Sequence, residues 1–385
     1  MALSIPFHTV DVFTQTRFLG NPLAIVLLHH PSSSSDSSDP KPRPPVLTQH
    51  QKQLIAREFN LSETVFIHIT QSNYDDPSVP FAIDIFTTTE ELPFAGHPTI
   101  GAGWFLAGHE RWRDRKEFRL DTRAGVILVS RVTKIPGPLT SPDDRARASA
   151  ELVKLRIPID FKTHPPYGST LLSTLKSSLC QPQLEPGDYV NGVDGSEPVA
   201  SIVKGMSFVL MQLRDEGSLS RIQPLVGIND AVPGSLIPDE HLGDWKGFSS
   251  LYVFVVSRST ESNSIFDNIY DDDPVNLIHP IIRLRTRMFQ SGGFEDPATG
   301  SAASTLCGWV ASQQQNAVGR WRFEVIQGVE MGRESRIGVV VDVEREANVD
   351  GDGVVRKIEL VGGAVKIMEG MVDIPSTQGQ SNLSR

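Results

Sequence analysis

His97-Pro98-Thr99-Ile100-Gly101-Ala102-Gly103 is echoed far downstream by Asp296-Pro297-Ala298-Thr299-Gly300-Ser301-Ala302. Each copy runs polar residue, proline, two further residues, glycine, two small residues. Proline is favoured at the first position of a helix, where its missing N–H costs nothing. The pattern therefore predicts two helices, over about 98–107 and 298–312, with His97 and Asp296 as their N-caps. Asp is a strong cap and His a poor one, so His97 has another reason to stand there. A helix N-terminus offers free N–H groups and partial positive charge, which suit a carboxylate. Two such ends, each headed by a titratable side chain, point to a proton-transfer site between two related lobes.

The flanking sequence is mostly strand. Val10, Val12 and Phe13 alternate before Gly20-Asn21-Pro22 turns the chain into LAIVLL from Leu23. Thr48 caps a helix that ends near Asn60, with apolar spacing at Leu54, Ile55 and Phe59. SETVFIHIT and FAIDIFT are strands, and FRLDTRAGVILVSRV is a hairpin. Beyond a polar stretch at Pro136–Ala150 come ELVKLRIPIDF, SFVLMQL, LYVFVV and IRLRTRMF, then the second helix and three closing strands. Residues Lys162–Pro198 are less regular, the Ser-rich stretch His30–Val46 is an exposed loop, and TQGQSNLSR is a tail. Strands throughout, with one long helix in each half, do not make a βαβ series. The expected class is α+β: two lobes, each a curved sheet around a central helix.

Composition narrows the function. In 385 residues, 36 Lys and Arg against 46 Asp and Glu give a net charge of −10, which disfavours nucleic acid or an anionic membrane as partner. The longest apolar runs are too short to span a bilayer. MALSIPFHTVDVF lacks the basic stretch and long apolar run of a secretory signal, so the chain reads as cytoplasmic. Two cysteines, Cys180 and Cys307, form no CxxC pair and no zinc spacing. There is no Walker loop, no HExxH and no GxSxG, and GAGWFL lacks the third glycine of a dinucleotide fingerprint. No metal and no nucleotide cofactor is indicated.

One carboxylate adds to the two helix heads. Glu63, in LSETVFIHI, opens an apolar strand. Turned into a cleft and desolvated, its pKa would rise toward neutrality, where it can take and return a proton. The plainer readings stay open: Glu63 as an edge charge in solvent, Asp296 as an ordinary cap, His97 as a core histidine, Ser301 as a small first-turn residue. Glu295 and Glu90-Glu91 read as loop charges, and Asp271 to Asp273 as a solvated loop. The chemical reading needs Glu63, both helix heads and Ser301 to converge on one cleft.

DVFTQTRFLGNPLAIVL, AREFNLSETVFI, ELPFAGHPTIGAG, RMFQSGGFEDPATGSAAS, QGVEMGR and GGAVKIMEG, in this order, resemble the phenazine-biosynthesis-like (PhzF-like) isomerases, relatives of diaminopimelate epimerase. The resemblance is poorest at 32–45, 136–150 and 162–198, where this chain carries insertions. It implies two pseudo-symmetric lobes, each a β-barrel-like sheet wrapped around a central helix. The first would span 1–150, the second 151–359, with a strand at about 360–375 returning to the first and a disordered tail over 376–385. It implies Glu63 as the acid–base residue, with His97 and Asp296 as catalytic partners. Ser62, Gly96, Gly300 and Ser301 fall at substrate-contacting positions. It also implies a homodimer, a small-molecule substrate and no cofactor. The epimerases use two cysteines at the helix heads; Ala95 and Pro297 stand near those places here, which disfavours two-thiol racemisation. The expected activity is cofactor-independent isomerisation of a small carboxylated cyclic metabolite. A lyase or cyclase using the same proton transfer, or a non-catalytic binding protein, are the rival readings.

Overall fold

Capping fixes the first helix as its sequence predicts. Thr48 and Gln51 form a reciprocal capping box at the start of Gln49–Phe59, and Asn60 ends it in the left-handed conformation at φ 51°. The computed structural model that shows this describes residues 3–30, 46–132, 151–179, 183–223, 236–257, 264, 278–290, 294–345 and 353–376. The expectations for 32–45, 136–150, Asp271 to Asp273 and the tail beyond 376 lie outside the described residues, as does Cys180.

Among the described residues, eighteen strands form one continuous hydrogen-bonded system that wraps two helices. In the first half, Ser4–Val12 pairs antiparallel with Asn21–His29, which runs parallel to Thr64–Ile69; Phe81–Phe86 and the hairpin Glu117–Thr122/Gly125–Arg131 follow. The closing strand Ala364–Asp373 pairs with Ser4–Val12, so the chain's end returns to its beginning. The second half repeats the device of hairpins joined by parallel pairs. Met206–Gln212 runs parallel to Phe248–Val256, and Ile278–Phe289 to Gly319–Gln327. The short strand Val153–Arg156 joins the halves, pairing with Gly125–Arg131 on one side and Val354–Gly362 on the other.

The two central helices are Gly96–Gly108 and Gly300–Ser312. Both are apolar around most of their circumference, as a helix must be when sheet covers it on several sides. Ile100, Ala102 and Leu106 of the first share one core with Ala302, Ala303, Leu306, Cys307 and Val310 of the second. Burial of this kind stabilises by roughly 25 cal/mol per Å² of apolar surface, so the core holds both helices against the sheet.

Two expectations need correction. The helices begin at Gly96 and Gly300, with Ala95 and Thr299 as the extended N-cap residues. His97 is the second residue of its helix. Asp296 lies outside the other, in the two-residue strand Glu295–Asp296 paired with Ile278–Phe289. Pro98 occupies the third helical position, where no intrahelical N–H is needed either. The sequence echo is therefore offset from the structural one, in which Ala95, Gly96 and His97 match Thr299, Gly300 and Ser301. The second correction concerns Lys162–Pro198, which is more regular than its sequence indicates. It contains the strand Lys162–Tyr167 and the helix Thr170–Leu179. Tyr167, Leu172, Leu175, Leu184 and Tyr189 there pack on the outer face of the second sheet, against Val199, Val209 and Val253.

Candidate active site

The two helix heads meet. A Cβ added to Gly96 would lie 3.1 Å from the Cα of Gly300, and one added to Gly300 would lie 2.8 Å from Leu360 Cδ2 and 3.4 Å from the Cα of Gly96. At Gly96 a side chain would press on the backbone of Gly300, whereas at Gly300 it would meet the side chain of Leu360 first, so the approach favours glycine at both positions. The first intrahelical bonds run from Thr99 N–H to Ala95 and from Ala303 N–H to Thr299. The N–H groups of Gly96, His97, Gly300 and Ser301 precede them, so helix geometry gives them no intrahelical acceptor. Two partial positive charges thus converge where the halves touch, an arrangement suited to a carboxylate or a developing oxyanion.

Glu63 arrives from the first half, in the turn between the left-handed Asn60 and the strand Thr64–Ile69. Its Oε2 lies 3.5 Å from His97 Nε2, and neither atom has a hydrogen-bond partner among the described residues. The distance would admit an ion pair, but burial opposes charge on both groups. Desolvation pushes the Glu63 carboxyl up to about 7, against a lowering hydrogen bond from Ser62. Desolvation pushes His97 down to about 4, against the raising influence of Asp296. Near pH 7, His97 is therefore neutral and Glu63 is balanced between acid and base, the condition in which one carboxyl can both accept and return a proton.

Asp296 arrives from the second half. Burial raises its pKa, the nearby Glu63 raises it further, and His97 and hydrogen bonds from Thr299 and the Ala298 N–H oppose the rise. Asn21 Nδ2 donates to Asp296 Oδ1 at 2.9 Å and to the Ala298 carbonyl at 3.0 Å, while Asn21 Oδ1 lies 3.4 Å from Ser62 Oγ, whose one hydrogen it shares with Glu63 as alternative acceptor. One asparagine thus ties the Glu63 turn to the Asp296 segment. Ser62, Glu63, Gly96, His97, Asp296 and Gly300 come together at the junction of the halves, and Ser301 stands in the first turn of the second helix.

Several neighbours were not legible as site residues. Asn21 reads as a turn residue, yet it is buried. Gln327 and Tyr252 sit in apolar strands, where a polar side chain at an inward position was the available signal. Gln327 Nε2 donates to the Asp296 carbonyl at 2.7 Å, and Tyr252 OH donates to Gln327 Oε1 at 2.9 Å. Glu295, read as a loop charge, is buried and takes a two-pronged bond from Arg287, with both contacts at 2.7 Å. Arg287 Nη1 also donates to the Leu219 carbonyl at 3.1 Å, which links the short helix Glu216–Arg221 to the Asp296 strand. The residues that precede the two central helices are Ala95 and Thr299, and Pro297 lies two residues before the second.

A helix wrapped by sheet in each half, with the two helix heads in contact, fits the α+β fold expected from the sequence. The sequence model of phenazine biosynthesis-like proteins matches residues 10–249 and 274–370, and the chain belongs to that family. A protein of Mesorhizobium japonicum named as an uncharacterised isomerase is 30% identical over 365 residues, covering 94% of this chain and 97% of that one. The trans-2,3-dihydro-3-hydroxyanthranilate isomerase of Pseudomonas chlororaphis is 27% identical over 328 residues, covering 85% and 86%. Among solved structures, the PhzF-family phenazine biosynthesis protein of Bacillus anthracis superposes with a TM-score of 0.64 at 19% identity, over 96% of this chain and 99% of that one. The fold is shared across that distance, and the protein is an isomerase. No helix among the described residues is long and apolar enough to cross a membrane.

Proposed function

We propose that this isomerase moves a proton between two carbons of a small, carboxylated, cyclic metabolite without a cofactor, using Glu63 as its acid–base group. Glu63 as carboxylate takes a proton from one carbon. The electron pair left behind delocalises into the substrate's π system, and Glu63 returns the proton to a second carbon on the same face. The N–H groups at Gly96, His97, Gly300 and Ser301 hold the substrate carboxylate or the oxygen on which charge develops. His97, neutral, and Asp296 face the substrate's polar groups. Acid–base positioning of this kind contributes about a hundred- to ten-thousand-fold in rate.

The observation that carries this reading is the Glu63 carboxyl, raised to about 7 by burial and 3.5 Å from a neutral His97. Similarity to a dihydro-hydroxyanthranilate isomerase supports the substrate class and supplies a probe. Trans-2,3-dihydro-3-hydroxyanthranilate would be incubated in heavy water with wild type and with Glu63→Gln. The expected result is an isomer formed by wild type alone, while Glu63→Gln still binds. Turnover by Glu63→Gln at the wild-type rate would sink the assignment. A product lighter by one water would move the protein to the lyases.

A further inference from the structure

Among the described residues, the polar groups bonded to the Asp296 carboxylate are donors, the Ala298 N–H among them. Asn21 Nδ2 meets Oδ1 at 2.9 Å, and Thr299 Oγ1 meets Oδ2 at 2.5 Å. Backbone groups fix these orientations. The Ala298 carbonyl can only accept, so the Asn21 atom facing it at 3.0 Å is the NH₂. The Thr299 N–H can only donate, so the Gln327 atom facing it at 3.3 Å is Oε1. Gln327 Nε2 then faces the Asp296 carbonyl at 2.7 Å and Thr299 Oγ1 at 3.2 Å. Because the Thr299 hydroxyl receives a donor from Gln327, its own hydrogen turns to Asp296. Gln327 is fully buried, and Tyr252 OH, 2.9 Å from both Gln327 Oε1 and Thr286 Oγ1, closes the network from behind.

We infer that Asn21 and Thr299 are positioning residues that hold Asp296 as the standing anion of the site, leaving Glu63 as the carboxyl that gains and loses the proton. A proton on Asp296 would face a donor at Oδ1 and would force the Thr299 hydroxyl to turn away from Oδ2, against the Gln327 amide. Charge-assisted hydrogen bonds favour the ionised form more strongly than neutral ones. The titratable groups around Asp296 are Glu63 from the turn before its strand, His97 from the first central helix and Tyr252 from the strand behind. Two neighbouring carboxyls compete for one proton, and the donors around Asp296 direct it to Glu63. Asn21 does this across the junction, since its amide belongs to the first half and Asp296 to the second. The consequence for catalysis rests on the proton transfer proposed above, whereas the charge on Asp296 can be read without any substrate.

Carbon-13 NMR of protein labelled at the aspartate carboxyl carbons follows Asp296 directly, with Asp296→Asn identifying its signal. Thr299→Val removes one side-chain donor with little change of shape, Asn21→Leu removes the second while the Ala298 N–H remains, and Thr299→Ser restores a hydroxyl. The expected result is an Asp296 titration midpoint higher by about one pH unit or more in Thr299→Val and Asn21→Leu, and wild-type behaviour in Thr299→Ser. An unmoved midpoint in folded Thr299→Val would overturn the inference, and that variant suffices should Asn21→Leu not fold. With the dihydro-hydroxyanthranilate probe, the same variants should lower kcat with little change in KM. If Glu63→Gln retained full turnover beside a shifted Asp296 midpoint, the functional reading would fail and the positioning of Asp296 would stand.

Discussion

Replacing Glu63 by Gln should make the protein more stable above neutral pH, and the gain should vanish in acid. Glu63 ordinarily titrates at 4.5 but is held at about 7 by burial, with only 17% of its side chain exposed. Between those values the folded state keeps a proton that the unfolded chain releases, so stability falls as pH rises through the window and is lowest above it. At about 1.4 kcal/mol per pH unit, the loss approaches ~3 kcal/mol by pH 8, as an upper bound. Glu63→Gln escapes it. Its advantage over wild type should grow from near zero at pH 4.5 to about that value at pH 8. Urea denaturation of both proteins at the two pH values, in one buffer, measures the difference and cancels every other titrating group. An ion pair between Glu63 and His97 would depress the Glu63 pKa and reverse the sign, so the variant would be the less stable protein at neutral pH. A pH-independent difference, or a reversed one, would refute the argument that burial keeps this pair neutral.

Three further outcomes follow from the same contacts. His97 ordinarily titrates at 6.5 and is held at about 4, so its contribution is present above that window and lost as pH falls through it, opposite in sign to that of Glu63. The two nearly cancel in wild type, and His97→Asn should unmask a fall in stability of roughly 3 kcal/mol between pH 4.5 and 7, read by the same denaturation series. Gly96→Ala should separate the helix heads at a cost of about 1–3 kcal/mol and reduce kcat/KM at least tenfold; unchanged kinetics in a destabilised variant would mean that their approach does not build the anion site. Arg333 donates to Asp11 Oδ1 at 2.6 Å and to the Gly20 and Phe18 carbonyls at 2.9 Å each, clamping the loop before Asn21. Arg333→Met should cost about 3 kcal/mol by stranding the buried Asp11, and adding Asp11→Asn should recover part of it in thermal denaturation.

What the sequence reveals and hides follows from the range of the forces involved. The helix Gln49–Phe59 is legible because its cap, stop and apolar spacing are local, and Thr48, Gln51 and Asn60 do what their chemistry favours. The strands are legible because alternation is local too. The starts of the central helices are not, because they are set by the contact between Gly96 and Gly300, residues far apart in the chain. Proline patterning placed the caps at His97 and Asp296, but closeness of backbone to backbone moved them to Ala95 and Thr299. Asn21 was hidden for the same reason. Nothing next to it explains a buried asparagine; its partners are Asp296, Ala298 and Ser62.

The offset between the sequence echo and the structural one separates two kinds of symmetry. Counted from the helix starts, His97 matches Ser301, and Asp296 has its counterpart before the first helix, where Leu92 stands. The halves therefore share the paired helix ends but not the titratable groups beside them. Glu63 and His97 come from the first half and Asp296 from the second, and the framing donors Asn21 and Thr299 divide in the same way. Symmetric binding with asymmetric acid–base groups suits a reaction in which one carboxyl takes and returns the proton on a single face, because no second base is then required across the substrate. A racemase of two equivalent bases would call for matched titratable residues at Ala95 and Thr299. Neither side chain can take up a proton from carbon at neutral pH, which accords with the proposed use of Glu63 as the single acid–base group.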